Sequence, residues 1–480
     1  MEQLSLALRY VKNTFVGQVI ASPEFPLCFL PLLAVYWLLN RQHRAQNIVL
    51  LIFGYSVYSM LGVGYAALLA CYSFFVWGAG HFIETAGLPK IKKIVYSASV
   101  LSSLALLAGY KYTHFLINSL NQLLAQSEID VQLASQQWML PVGISFYTFM
   151  GISYLSDVYR EKYRAASPAS LLLFLCFSPI TIAGPICRPS ELLAQIDDPK
   201  PKSISSIDKI LLLILSFVIK KVWIASWLAQ AIVDPVFASP SVFNGFEVLL
   251  GVLAYSLQIF FDFSGYTDLA RAVGMCLGYE LPSNFDRPYL ASSLSEFWGR
   301  WHITLSLWIR DYIYIPLGGS RRSFVRTLIN LILAMALSGL WHGANITFLL
   351  WGLFHGLGLC LEKVFSRFGF KPNSFLLTYL FVCVGWVFFR SPNLEGAFEV
   401  FHSVRDWSVP LNPSIPHALV LAALAMSFFV WKLSPWLMKR IELALTIIPS
   451  VLKPLPFAVV ISAVLALSPE GMPNFIYAQF

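Results

Sequence analysis

Two histidines stand beside tryptophans in some of the most apolar sequence of this 480-residue chain, as Trp301-His302 and Trp341-His342. A titratable side chain at membrane depth is costly, and it tends to line a cavity or pathway rather than face lipid. Desolvation lowers a histidine's pKa and leaves a neutral imidazole, the state in which it can take a proton from a hydroxyl as a general base. These two positions are therefore the first candidates for catalysis.

His342 follows the run LINLILAMALSGLW and precedes GANITFLLWGLFHGL, so it falls at the joint between two apolar spans. Roughly 16 residues, or about 24 Å of helix, separate it from the basic cluster Arg321 to Arg326. The neighbouring Gly339, Gly343 and Ala344 let another backbone or a ligand come close. The competing structural reading is a histidine hydrogen-bonded across helices. His302 lies in a more charged stretch. His355 reads as a packing or hydrogen-bonding residue, because along one helix it returns to the azimuth of His342 only after several turns. His43, His81, His114, His402 and His417 fall in a basic loop or near segment ends and read as interfacial.

Other chemistries are marked by missing signatures: the sequence has no GxSxG elbow, HExxH helix, P-loop or GxGxxG. His342 is followed by Gly-Ala-Asn-Ile-Thr, so an HxxxxD box is missing too. The seven cysteines are scattered singly and suggest neither a disulfide framework nor a zinc site. Histidine-assisted transfer within a membrane tunnel, or transport without covalent chemistry, is what remains. A transporter or flippase would use broken helices and buried charges as a path.

The elements that must position these residues are membrane helices. The chain is 57% hydrophobic and 12% charged, with 38 Phe, 21 Tyr and 14 Trp, against about a quarter charged residues in a soluble domain. The expected fold is all-α and polytopic, a single domain over residues 1–480. About a dozen segments approach the roughly 20 apolar residues of a span: 25–39, 47–63, 65–83, 94–111, 138–158, 168–186, 207–232, 245–266, 324–343, 345–361, 374–390, 415–432 and 455–468. The first 24 residues lack the ordered regions of a cleavable signal. The net charge of +8 is expected to serve positive-inside loops, not nucleic acid. Basic clusters at 41–44, 90–93, 160–164, 200–209, 321–326, 363–371 and 439–440 alternate with basic-poor loops such as 113–159, whose polar stretch Ser127 to Gln137 is external. This places the basic loops in the cytoplasm and the N-terminus outside.

Two stretches break the simple pattern. Residues 170–193 lie between two basic loops, and their Ser178-Pro179 and Gly184-Pro185 pairs suit a broken or re-entrant helix. Irregular backbone at that depth needs protein or a water-filled cavity around it. Residues 283–323 carry Asp286, Arg287, Glu296, Arg300, His302, Arg310 and Asp311, too many charges for a lipid-facing span. Short amphipathic helices at the interface or dipping into the bundle are expected there. Arg287, Arg300, Arg310 and Arg321 would either meet phosphates at the cytoplasmic mouth or pair with Asp286, Glu296 and Asp311. Trp298, Trp308 and Trp351 would be tunnel lining or packing and interfacial anchors.

Glu296 to Ser306, continuing from Trp308 to Gly319, resembles a signature of the membrane-bound O-acyltransferase family. Leu337-Ser338-Gly339-Leu340-Trp341-His342-Gly343 is similar to a second signature, which holds the family's near-invariant histidine. Asp262 to Asp268, Asn284 to Tyr289, Pro141 to Tyr147, Ala183 to Ile186 and the tail Phe475 to Phe480 extend the resemblance over about residues 140–480. The chain looks like the bacterial branch that O-acetylates alginate and other exopolysaccharides. The teichoic acid D-alanine exporters share both motifs, but a length near 480 favours the acetylase side.

That resemblance implies roughly 11–13 transmembrane or re-entrant helices around a central tunnel in the bacterial inner membrane. It makes His342 the catalytic residue and His302 the second functional histidine. The acyl donor would be a cytoplasmic thioester, acetyl-CoA, with no bound cofactor, and the partners would be periplasmic acetyltransferase-type proteins, the polysaccharide and the lipid bilayer. His302, with Trp301 and Ser306, would orient the thioester or stabilise an oxyanion. A transient acyl-histidine is an alternative. Trp298, Arg310, Asp311, Trp341 and Asn345 complete the expected substrate and tunnel residues. D-alanyl transfer to teichoic acid and O-acylation of a lipid are the alternatives within the family.

Overall fold

A computed structural model of the chain describes residues 25–127, 129, 131–134, 140–181, 184–370, 373–449 and 451–469. The expectations for the first 24 residues, for much of the loop 127–137, for Ala183 and for the tail Phe475 to Phe480 lie outside the described residues. Among the described residues the regular elements are helices, with one isolated antiparallel bridge between Phe285 and Trp301. Seven helices among the described residues are long and apolar enough to cross a membrane, and Phe25–Leu38, Phe375–Arg390 and Pro454–Leu467 are shorter apolar helices. The chain is an all-α, multi-pass membrane protein. Leu101, Leu116 and Leu123, exposed along one of the seven, show the apolar outer surface that lipid rather than water requires.

The described residues fall into two compact units. One holds residues up to 205 together with Val273–Pro282, and the other holds Ser206–Ala272 and the chain from Ser283 onward.

The first unit contains α1 (Phe25–Leu38), α2 (His43–Leu61), α3 (Val63–Thr85), α4 (Pro89–Gln126), α5 (Ile144–Tyr159) and α6 (Pro168–Cys176). The expected break after residue 168 is present. Ser167 caps α6 by accepting from the Ser170 N–H, Pro168 opens it, and it stops ahead of Ser178-Pro179. Nine residues make about 13 Å of helix, too short for a span of roughly 30 Å. A four-residue turn of helix follows, then Gly184 with φ of 156°, which a side chain would rarely adopt, and a π-helical turn at Pro189–Leu193.

The second unit contains α7 (Ile207–Ala238), which carries π-helical turns at Val218–Ala225 and Ala229–Val233, and most of α8 (Gly245–Cys276). The expected short helices of 283–323 are there: α9 (Leu294–Arg300), then α10 (Ile303–Ile309) running into a π-helical turn at Arg310–Tyr314. After them come α11 (Phe324–His342), α12 (Ile346–Arg367), α13 (Phe375–Arg390), α14 (Leu394–Ser403), α15 (His417–Ile447) and α16 (Pro454–Leu467). α14, at ten residues, is too short to cross a bilayer.

α11 and α12 form a hairpin whose backbones touch. A Cβ on Gly339 would sit 2.2 Å from the Phe348 carbonyl oxygen, and one on Gly352 would sit 2.3 Å from that of Met335. Small residues at such a crossing replace side-chain bulk with backbone-to-backbone van der Waals contact. The turn between these helices is where His342 stands.

Candidate functional site

The backbone around His302 is clamped from both sides. The Ile303 N–H donates to the Asn284 carbonyl at 3.0 Å, and the Asp286 N–H donates to the Arg300 carbonyl at 3.0 Å. The buried Asn284 side chain accepts from both the Thr304 N–H, at 3.2 Å, and the Thr304 hydroxyl, at 2.6 Å. His302 itself is left-handed, with φ 40° and ψ 55°. That conformation costs a non-glycine residue about 1–3 kcal/mol and persists where its surroundings over-determine it. The clamp is that over-determination. It turns the imidazole, 1% exposed, edge-on to Phe263 at 4.7 Å and to Trp341 at 6.0 Å between ring centroids.

His342 is the last residue of α11, and Gly343 leaves the helix in extended conformation. Its ring, 4% exposed, meets Trp341 at 5.0 Å, Trp351 at 5.1 Å and Phe389 at 5.1 Å, each edge to face. The two histidines of the sequence motifs thus share one indole, that of Trp341.

The layer continues to a third histidine. Trp351 meets His355 at 5.1 Å, and Trp298 meets His355 at 5.2 Å and Trp351 at 5.6 Å. His355 is fully buried, and Gly385 makes room for it, since a Cβ there would lie 2.7 Å from its Nε2. Phe263, His302, Trp341, His342, Trp351, His355 and Trp298 therefore form one chain of touching rings. His355 packs here as its sequence position suggested, but its place in this layer with His342 arises because the chain reverses between α11 and α12. The α12 face that carries Trp351 and His355 lies one helical turn apart at i and i+4.

The remaining expected residues separate by role. Trp301 is buried beside Trp386 at 4.9 Å, Phe285 at 5.1 Å and Phe297 at 5.6 Å. The Ser306 hydroxyl donates to the Trp301 carbonyl at 3.1 Å, which stitches α10 to the clamp. Asn345 caps α12: its Oδ1 accepts from the Thr347 N–H at 3.1 Å while its Nδ2 donates to the Pro392 carbonyl at 2.6 Å. Arg310 is 54% exposed and pairs with Asp311 at 2.7 Å; Arg287 pairs with Asp286 at 3.0 Å and Arg300 with Glu296 at 2.5 Å. Of the two readings of these arginines, the geometry displays the ion pairs. Trp308 packs against Tyr312 at 5.2 Å. The Glu296 carboxylate also accepts from the Ser292 N–H, which holds its pKa below the ordinary glutamate value.

One charged group was passed over in the sequence. Lys221 and Asp262 form an ion pair with both side chains buried, and Lys220 reaches Asp268 at 2.6 Å, where the Ser216 hydroxyl also donates at 2.7 Å. Gly265 lies between the two aspartates on α8, and a Cβ there would come 3.1 Å from that of Lys221. The available signal was a Lys-Lys pair inside an apolar run, followed by two aspartates six residues apart on the next span. Such a pair at membrane depth must be mutually neutralising.

Comparison with known proteins bears on what this layer does. A profile described as the membrane-bound O-acyltransferase family matches residues 48–390, which contain both tryptophan-histidine motifs. The chain is 36% identical over 429 residues to the probable alginate O-acetylase AlgI of Pseudomonas putida, covering 86% of this chain and 87% of that one. It is 35% identical over 343 residues to the peptidoglycan O-acetyltransferase of Helicobacter pylori, covering 64% of each. To the teichoic acid D-alanyltransferase of Streptococcus thermophilus it is 28% identical over 278 residues, 53% of this chain and 64% of that one.

Proposed function

The chain belongs to the membrane-bound O-acyltransferase family, and from its site we propose that it moves an acetyl group from a cytoplasmic thioester, acetyl-CoA, to the hydroxyls of an alginate-like exopolysaccharide. The acceptor side is the periplasmic face of the bacterial inner membrane, where acetyltransferase-type partner proteins would pass the ester on to the polymer. The observation behind this reading is the pair of buried imidazoles, His302 and His342, set against one indole in an aromatic layer. Excluding water from such a layer strengthens each hydrogen bond and charge interaction within it.

His342 acts as general base in this reading. The acceptor hydroxyl oxygen bonds to the thioester carbonyl carbon while its proton passes to the imidazole and the carbonyl π pair moves onto oxygen. Collapse restores the carbonyl, breaks the C–S bond and returns the proton to the departing sulfur. General base catalysis of this kind contributes about 10²–10⁴-fold. His302, fixed by its clamp, orients the donor from the other side of Trp341.

A glycan acceptor is favoured because the alginate and peptidoglycan enzymes match more of the chain, at higher identity, than the D-alanyltransferase does. The test supplies labelled acetyl-CoA to membranes carrying the full chain and follows label into base-labile esters on exported polysaccharide. Transfer by the native chain and none by His342→Ala, at equal expression, is expected. Full transfer by His342→Ala would remove His342 from the mechanism; label entering only lipid would remove the glycan acceptor.

A further inference from the structure

A developing negative charge on the thioester oxygen needs hydrogen-bond donors, and the donors expected from sequence are otherwise engaged or poorly suited. The Ser306 hydroxyl is spent on the Trp301 carbonyl, and Trp301 packs among Phe285, Phe297 and Trp386. Next to His342, by contrast, three mutually touching rings hold polar atoms with no hydrogen-bond partner among the described residues. These are the indole Nε1 of Trp298, the indole Nε1 of Trp351 and both ring nitrogens of His355. All four atoms are shielded from solvent, and Trp351 and His355 are at least 99% buried. Leaving a buried donor or acceptor unmet costs about 1–3 kcal/mol, so apolar side chains would fill this triangle at lower cost than two indoles and an imidazole with four unmet polar atoms.

An indole N–H can only donate, so the atom it waits for is an acceptor. Trp351 is in direct ring contact with His342 at 5.1 Å, which puts the triangle beside the residue that takes the proton. The chemistry that fits is a small uncharged carbonyl: its oxygen takes the N–H groups and its short alkyl end lies on aromatic faces.

We propose that the indole N–H groups of Trp351 and Trp298 bind the carbonyl oxygen of the acyl group transferred at His342, and that His355 is the positioning residue that holds the two indoles. The inference rests on the acyl-transfer reading above. As the acceptor oxygen attacks, the π pair driven onto the carbonyl oxygen is met by these donors, and it returns to re-form the carbonyl when the C–S bond breaks. Because the hydrogen bonds strengthen as charge develops, their loss lowers kcat more than it raises KM.

The experiment uses the full chain in proteoliposomes with acetyl-CoA as probe, reading CoA thiol release, alongside ester content of exported glycan in cells. Trp351→Phe and Trp298→Phe keep an aromatic ring and delete one N–H; each is expected to lower kcat by about a hundredfold with KM within a few fold. His355→Phe is expected to lower kcat similarly, with partial recovery in His355→Gln, which keeps a polar amide in place of the imidazole. Should Trp351→Phe fail to fold, the half-buried Trp298 decides the matter. Native transfer with both phenylalanine variants within about twofold of wild type overturns the inference and leaves the acyl-transfer reading standing, the triangle then holding only trapped water. No ester formation by the native chain overturns the reading beneath it, and the inference with it.

Discussion

The imidazole of His302 meets the indole of Trp341 edge to face at 6.0 Å, although the two belong to different motifs, His302 in the turn between α9 and α10 and Trp341 on α11. Since His342 touches the same indole at 5.0 Å, Trp341 is the physical link between the two histidines. Trp341→Ala is expected to lower transfer as much as His302→Ala, by about a hundredfold through lost positioning, whereas Trp341→Phe keeps an aromatic spacer and most of the activity. Steady-state rates of the three variants at matched expression check this, and equal loss in Trp341→Phe would mean that the indole N–H, not the spacing, matters.

The buried Lys221–Asp262 pair is expected to stabilise the second unit through neutrality rather than attraction. Removing one partner, as in Lys221→Met, strands a charge and is expected to cost about 3–5 kcal/mol, while replacing both with apolar residues recovers most of it. Detergent-solubilised Tm values for the two single variants and the double variant give the answer. A double variant as unstable as either single one would refute the neutrality argument.

Gly339 and Gly352 set the distance between α11 and α12, and so the place of His342. Gly339→Ala puts a methyl against the Phe348 carbonyl, 2.2 Å away on the native backbone, so the helices must separate. Lower Tm together with lower kcat is expected. A variant that lost stability at unchanged kcat would show that His342 is held by the turn alone.

Glu296 gives a pH dependence of stability. Its folded pKa is lowered, first by the Ser292 N–H, so its contribution is present above the unfolded glutamate value, about 4.3, and is lost as pH falls through the folded value. Glu296→Gln should therefore be less stable than wild type at neutral pH, with the gap closing on acidification. Tm measured at pH 7 and pH 3 tests the sign, and a gap that widens at low pH would contradict it.

Local signals were legible in the sequence because they depend on neighbours in the chain. The apolar runs, the Pro-punctuated break after α6, the charged short helices of 283–323 and the position of His342 at a joint between spans all follow from composition, proline geometry and helix length. The clamp on His302 was not legible, because Asn284 and Thr304 are ordinary residues until folding brings the Asn284 amide against the Thr304 backbone. The same holds for the Lys221–Asp262 pair, whose members sit on separate helices. His355 is the plainest case. Its distance from His342 along the chain says nothing about its distance in space once Gly343 ends α11 and α12 doubles back. The sequence by itself determined that two tryptophan-histidine pairs would lie within a membrane bundle, since that is a matter of hydropathy and spacing. Only the tertiary structure decided that three histidines share one aromatic layer, since ring contacts between helices depend on the close crossing that Gly339 and Gly352 permit.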